Sequence, residues 1–109
     1  MKQKLINGLR QYPELRGADL NASISFLESA TFEELKSLGH AVFYLTSPPL
    51  MKKLSSWYNN GVDCSFRDEY CKFYGIAPKI TSQDKTRGNK LYEQLKNKPN
   101  LTPKEFLST

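Results

Sequence analysis

Six cations, Lys79, Lys85, Arg87, Lys90, Lys96 and Lys98, fall within twenty residues of this chain and alternate with Thr81, Ser82, Gln83, Thr86, Asn89 and Tyr92. Ammonium and guanidinium groups among hydroxyls and amides hold phosphate oxygens, by charge and by neutral hydrogen bonds together. The chemistry to expect is therefore nucleic-acid binding through Lys79, Lys85, Arg87, Asn89, Lys90, Lys96 and Lys98, with nothing to separate DNA from RNA. The net charge is +5. Residues 1–78 carry nine Lys and Arg against eight Asp and Glu, whereas residues 79–109 carry seven against three, so most of the net charge lies in the last third. If residues 82–97 form one helix, Leu91, Tyr92 and Leu95 face the core. Arg87, Lys90 and Lys98 then flank that stripe on one side and Lys85 and Lys96 on the other, which splits the charge. The competing reading is an ordinary solvated helix that carries lysines for solubility.

Catalytic signals are weaker. His40 is the only histidine, and a helical wheel over residues 31–45 groups it with Glu33, Ser37 and Tyr44, away from the apolar stripe, as a solvated surface residue. Cys64, Cys71 and His40 make three donors with no C-x-x-C pair, too few for a structural zinc site. A cysteine nucleophile would need His40 to approach it in space, and a cysteine on an aromatic helix is more often a small core residue. The glycines are isolated from one another, so no phosphate loop exists. The carboxylate pairs Glu33–Glu34 and Asp68–Glu69 fall in first helical turns, where the helix dipole accounts for them. The expectation is a non-enzymatic protein with no cofactor, no metal and no small-molecule substrate.

These residues need a frame, and its clearest element is Thr31–Leu45. Thr31 and Glu34 form a capping box, in which hydroxyl and carboxylate each satisfy an unpaired backbone N–H. Phe32, Leu35, Leu38, Val42 and Leu45 recur at helical spacing, widened by Ala41 and Phe43, which predicts one helix near the centre of a core. Ser47, Pro48 and Pro49 end it and cap the next helix, which presents Leu50, Met51, Leu54, Trp57 and Tyr58 on one side and Lys52, Ser55 and Ser56 on the other. Asn59, Asn60 and Gly61 stop that helix.

Elsewhere, Leu5, Ile6, Leu9 and Tyr12 predict a short helix closed by Pro13, and Asn21 is a candidate cap for a helix holding Ile24, Phe26, Leu27 and Ala30. Phe66, Tyr70, Phe73 and Tyr74 share one face of a helix over 65–74 that ends at Gly75. Residues 77–88 read as either a flexible basic loop or a helix start at Thr81 or Ser82, and residues 89–109 as a basic helical segment. There Thr102, Pro103 and Glu105 mark a last capping box. Alternating strand patterns are scarce. The sum is an all-α single domain, 1–109, a compact bundle of about five to seven short helices.

Residues 66–95 have a loose helix-turn-helix outline, an aromatic helix, Gly75 at the turn and a basic second helix. Pro78 inside the turn, and Gln83 and Asp84 at positions that should be apolar, depart from that motif. A second class of function is a protein-interaction module, an adaptor, assembly subunit or inhibitor docking on a larger protein, with Tyr12, Tyr44, Trp57 and Tyr58 as anchors. Core packing is the alternative for each of the four. The start of the chain lacks a signal-peptide pattern and no segment approaches a membrane span, so a cytoplasmic protein without a membrane partner is expected.

Overall fold

The computed structural model describes residues 2–10, 18–45, 48–61 and 65–108. Seven α-helices and one 3₁₀ segment occupy them, and no strand occurs among the described residues. The helices are α1 (Lys2–Arg10), α2 (Ala18–Ser29), α3 (Phe32–Leu38), α4 (Pro48–Asn59), α5 (Ser65–Tyr74), α6 (Ser82–Asn97) and α7 (Pro103–Leu107). The protein is thus an all-α bundle, with a Cα radius of gyration of 12.6 Å that suits one packed domain of this length.

Side-chain chemistry sets the boundaries. Thr31 caps α3 with Glu34 and Thr102 caps α7 with Glu105, both as full capping boxes. Thr81 caps α6 in the same way with Asp84. Of the two readings of 77–88, residues 82–88 are therefore the first turns of a helix. Gly61 and Gly75 follow α4 and α5 with φ of 78° and 69°, a region open to glycine without a Cβ penalty. Helix α2 begins at Ala18, ahead of the expected cap at Asn21. The expected cap Ser47 and the closing residues Tyr12 and Pro13 lie outside the described residues.

The central element departs from expectation. The helix starting at Thr31 stops at Leu38, and residues 39–45 continue as a 3₁₀ segment. Gly39 makes the break with φ 56°, its N–H donating to the Leu35 carbonyl. His40 to Leu45 are all buried. A 3₁₀ helix has three residues per turn, so side chains at i and i+3 align and the rod offers three narrow ridges in place of one wide face. His40 and Phe43 both point at α5, where Cys71 and Tyr70 meet them. Tyr44 meets α6 at Gly88. Leu45 lies by Ala22 and Ser23 of α2, and its carbonyl accepts the Ser23 hydroxyl at 2.7 Å. Two elements on a shared helical phase would have put His40 and Tyr44 together on a polar surface. The reset at Gly39 buries both.

Around this rod, Leu5, Ile6, Phe26, Leu27, Leu35, Leu38, Tyr70, Leu91, Leu95 and Phe106 complete one core. The buried Tyr70 hydroxyl donates to the Leu35 carbonyl at 2.6 Å and ties α5 to α3. Phe32, expected in the buried stripe, is instead 48% exposed at the start of α3, packed edge-on against Phe73 at 5.6 Å.

Gly88 sets the distance between α6 and the rod. A Cβ there would overlap the Tyr44 ring and stand 2.8 Å from the Tyr44 Cβ. Gly→Ala in a helix interior normally stabilises by about 0.5–1 kcal/mol. Here overpacking dominates, so Gly88→Ala should destabilise by about 1–3 kcal/mol. In denaturant titrations this penalty should shrink when Gly88→Ala is introduced into a Tyr44→Ala background, which removes the ring.

Candidate nucleic-acid interface

Residues 77–81 run from α5 to the start of α6, and buried side chains fix their path. The backbone N–H of Ile76 donates to the Cys71 carbonyl at 2.8 Å as the chain leaves α5. His40 Nε2 donates to the Ala77 carbonyl. Arg67, only 4% exposed, donates from Nη2 to the Pro78 carbonyl at 2.8 Å. With these carbonyls held, Lys79 and Ile80 are carried to the edge of a cleft.

That cleft opens between α4 and the N-terminal half of α6. A compartment of about 480 Å³ is lined by Ser55 and Asn59 of α4, Arg67 of α5, Pro78, Lys79 and Ile80 of the connection, and Lys85 of α6. A second, of about 280 Å³, is lined by Lys52 and Ser55 of α4, Lys85 and Asn89 of α6, and Tyr44 of the rod. Ser55 and Lys85 line both, so the two adjoin. Helical spacing assembles them: Lys52, Ser55 and Asn59 are i, i+3 and i+7 on α4, and Lys85 and Asn89 are i and i+4 on α6. Four cations, Lys52, Arg67, Lys79 and Lys85, line the pair of compartments, and no carboxylate does among the described lining residues.

The seven residues expected to contact phosphate divide accordingly. Lys79, Lys85 and Asn89 come together in the cleft. Lys96 lies further along α6, its ammonium 6.0 Å from the centre of the Tyr92 ring. Lys90 and Arg87 border a shallow depression elsewhere on α6, with Ser82, Gln83 and Thr86. Arg87 has structural partners: Nη1 donates to the Ser37 carbonyl at 2.7 Å, and the guanidinium lies 5.8 Å from the centre of the Phe106 ring. Lys98 pairs with Glu105, and this bond, with those from Thr102, holds the Glu105 carboxyl below the usual range. The division of charge read from the helical wheel is thus accompanied by a division of surroundings, Arg87 and Lys98 bonding within the fold and Lys85 lining the cleft.

Of the aromatic anchors, Tyr44 takes the core role, at 5% exposure. Trp57 is half-buried against the core with the Lys53 ammonium 5.0 Å from its ring centre. Tyr12 and the Tyr58 side chain lie outside the described residues. Lys52, Asn59 and Arg67 were missing from the expected site. The polar stripe Lys52–Ser55–Asn59 and a lone arginine on an aromatic helix were the signals available for them.

His40, expected at the surface, is 3% exposed. Its Nε2–H is committed to Ala77, which leaves Nδ1 as an acceptor 4.0 Å from the Cys71 sulfur. Burial lowers the His40 pKa, against the opposing effects of the Ala77 hydrogen bond and the Asp84 charge, while Arg67 lowers it further. Burial likewise raises the Cys71 thiol. Both shifts favour the neutral thiol and imidazole over a thiolate–imidazolium pair. No group of three or more His, Cys, Asp or Glu residues is placed to hold a metal among the described residues, and no helix among them is long and apolar enough to cross a membrane.

No protein-family model, curated protein or solved structure matches this chain.

The lowered His40 pKa makes stability depend on pH. Below its ordinary value of 6.5 the unfolded chain takes a proton that the folded chain refuses, so stability is complete above that value and falls as pH drops through it. Denaturation midpoints should decline from pH 7.5 to 5.5. The decline should vanish in His40→Gln, whose amide can still donate to Ala77. Carboxylates titrate mainly below this window.

Proposed function

We propose that the protein is a non-enzymatic nucleic-acid-binding domain that holds its ligand chiefly by phosphate contacts. The observation that carries this reading is the cleft between α4 and α6, where Lys52, Lys79 and Lys85 converge without a carboxylate among the described lining residues. Like charges converging on a concave surface focus the potential there and attract a polyanion. Asn89 adds a neutral donor, and Lys96 extends the positive surface along α6, with Lys90 on another side of the same helix. Arg87 and Lys98 support the site by holding α6 to its neighbours, and their charge contributes at longer range.

A protein-interaction module is the second reading, favoured by one observation. Phe32 and Phe73 are 48% and 52% exposed and packed edge-to-face, an aromatic pair of the kind that anchors interfaces.

Binding to generic single-stranded and duplex nucleic acid, followed as salt is raised, separates the two. Four phosphates neutralised by Lys52, Lys79, Lys85 and Lys96 correspond to a slope of about −3 in log K against log salt for a single strand. Lys85→Ala should reduce the slope by about one unit. Arg87→Ala should instead lower stability, by about 1 kcal/mol for the lost Ser37 bond. Absence of binding even at low salt overturns the first reading and leaves the aromatic pair as the lead.

A further inference from the structure

The shape and lining of the cleft bear on which form of nucleic acid it takes. We infer that it receives unpaired nucleotides of a single strand, not a duplex, an inference that rests on the nucleic-acid reading above. A helix that reads a duplex must project into a major groove about 12 Å wide. In α6 the cationic residue Lys85 and the amide Asn89 face Lys52 and Ser55 of α4 across the cleft instead, so the helix that would have to enter a groove is walled on that side. A duplex could touch the rim only through its phosphates.

A single strand can do more. A concave site of about 480 Å³ is of the size that encloses small ligands, and the adjoining one of about 280 Å³ continues it. The first compartment has an apolar wall of Pro78 and Ile80 for the face of a base, with the Asn59 amide, both donor and acceptor, at hand for its polar edge. The second has the Asn89 amide, with Tyr44 in its lining. Lys85 belongs to both compartments, at the junction where the phosphodiester joining two successive nucleotides would pass. The result is a two-nucleotide site: a base in each compartment, an amide beside each, and an ammonium at the link. Sequence preference is weak in such a site, because an apolar wall accepts the face of any base.

The test is fluorescence anisotropy with labelled ten-nucleotide single strands, DNA and RNA, and a duplex of the same length, at one low salt concentration. Single strands should bind at least about tenfold more tightly than the duplex, the difference that loss of one or two base contacts makes. Asn59→Ala with Asn89→Ala, both at exposed helical positions, should lower single-strand affinity by about the same factor, weaken duplex binding much less and leave the salt slope intact. Circular dichroism checks that the double variant is folded, and the comparison of single strand with duplex in the unaltered protein needs no variant at all. Duplex binding as tight as single-strand binding, or single-strand affinity indifferent to both amides, overturns this inference and leaves nucleic-acid binding standing. Failure of every nucleic acid to bind at low salt overturns both.

Discussion

Gly88 and Tyr44 touch at a distance that no other residue at position 88 would permit, and the arrangement of the bundle follows from that contact. The 3₁₀ rod is buried along residues 40–45 and must be surrounded. Helix α6 covers it with a face made of Gly88, Leu91 and Leu95, and because Gly88 lacks a side chain the α6 backbone settles against the Tyr44 ring. Interiors are packed too densely for such a spacing to be absorbed by slack elsewhere. The same spacing sets how far Lys85, three residues before Gly88, and Asn89, the residue after it, stand from α4. The width of the basic cleft is in this sense a consequence of a missing Cβ.

A second constraint comes from the connection between α5 and α6. Backbone carbonyls in a connecting segment need partners, and two of them, at Ala77 and Pro78, are met by ring and guanidinium groups from inside the fold. Burial, aided by Arg67, outweighs the Ala77 hydrogen bond and the Asp84 charge and so disfavours the charged form of the His40 imidazole. His40 therefore shapes the cleft at one remove. It keeps Lys79 and Ile80 at the cleft edge, with its second nitrogen occupied by Cys71. A histidine and a cysteine in contact invite a catalytic reading, and the direction of both protonation shifts argues for a structural one.

Charge in this protein matters by its convergence more than by its count. Cations spread over the last third of the chain include some whose partners are internal, such as Arg87 against Ser37 and Phe106 and Lys98 against Glu105. Those that meet in the cleft come from three helices and a connection, and Lys52 and Arg67 lie outside the segment where most of the net charge lies. Local field strength depends on distances between such groups, which sequence separation does not measure.

The amino-acid sequence alone determined the helical class, since capping boxes at Thr31 and Thr102, proline at the start of α7 and glycine after α4 and α5 act within a few residues of where they stand. It also marked 79–98 as basic and left the start of α6 open between two readings. Tertiary structure decided the rest. The stripe from Phe32 to Leu45 satisfies a 3.6-residue period, but a fully buried rod is indifferent to amphipathic phase, and the break at Gly39 turned the remainder into a 3₁₀ segment whose ridges carry His40 and Tyr44 inward. Gly88 takes its role from a partner forty-four residues earlier in the chain, the Tyr44 ring, which only the folded chain brings against it. The cleft was beyond local reasoning for the same cause: its walls are held together by packing between helices, and packing is a property of shapes that meet only when the chain has folded.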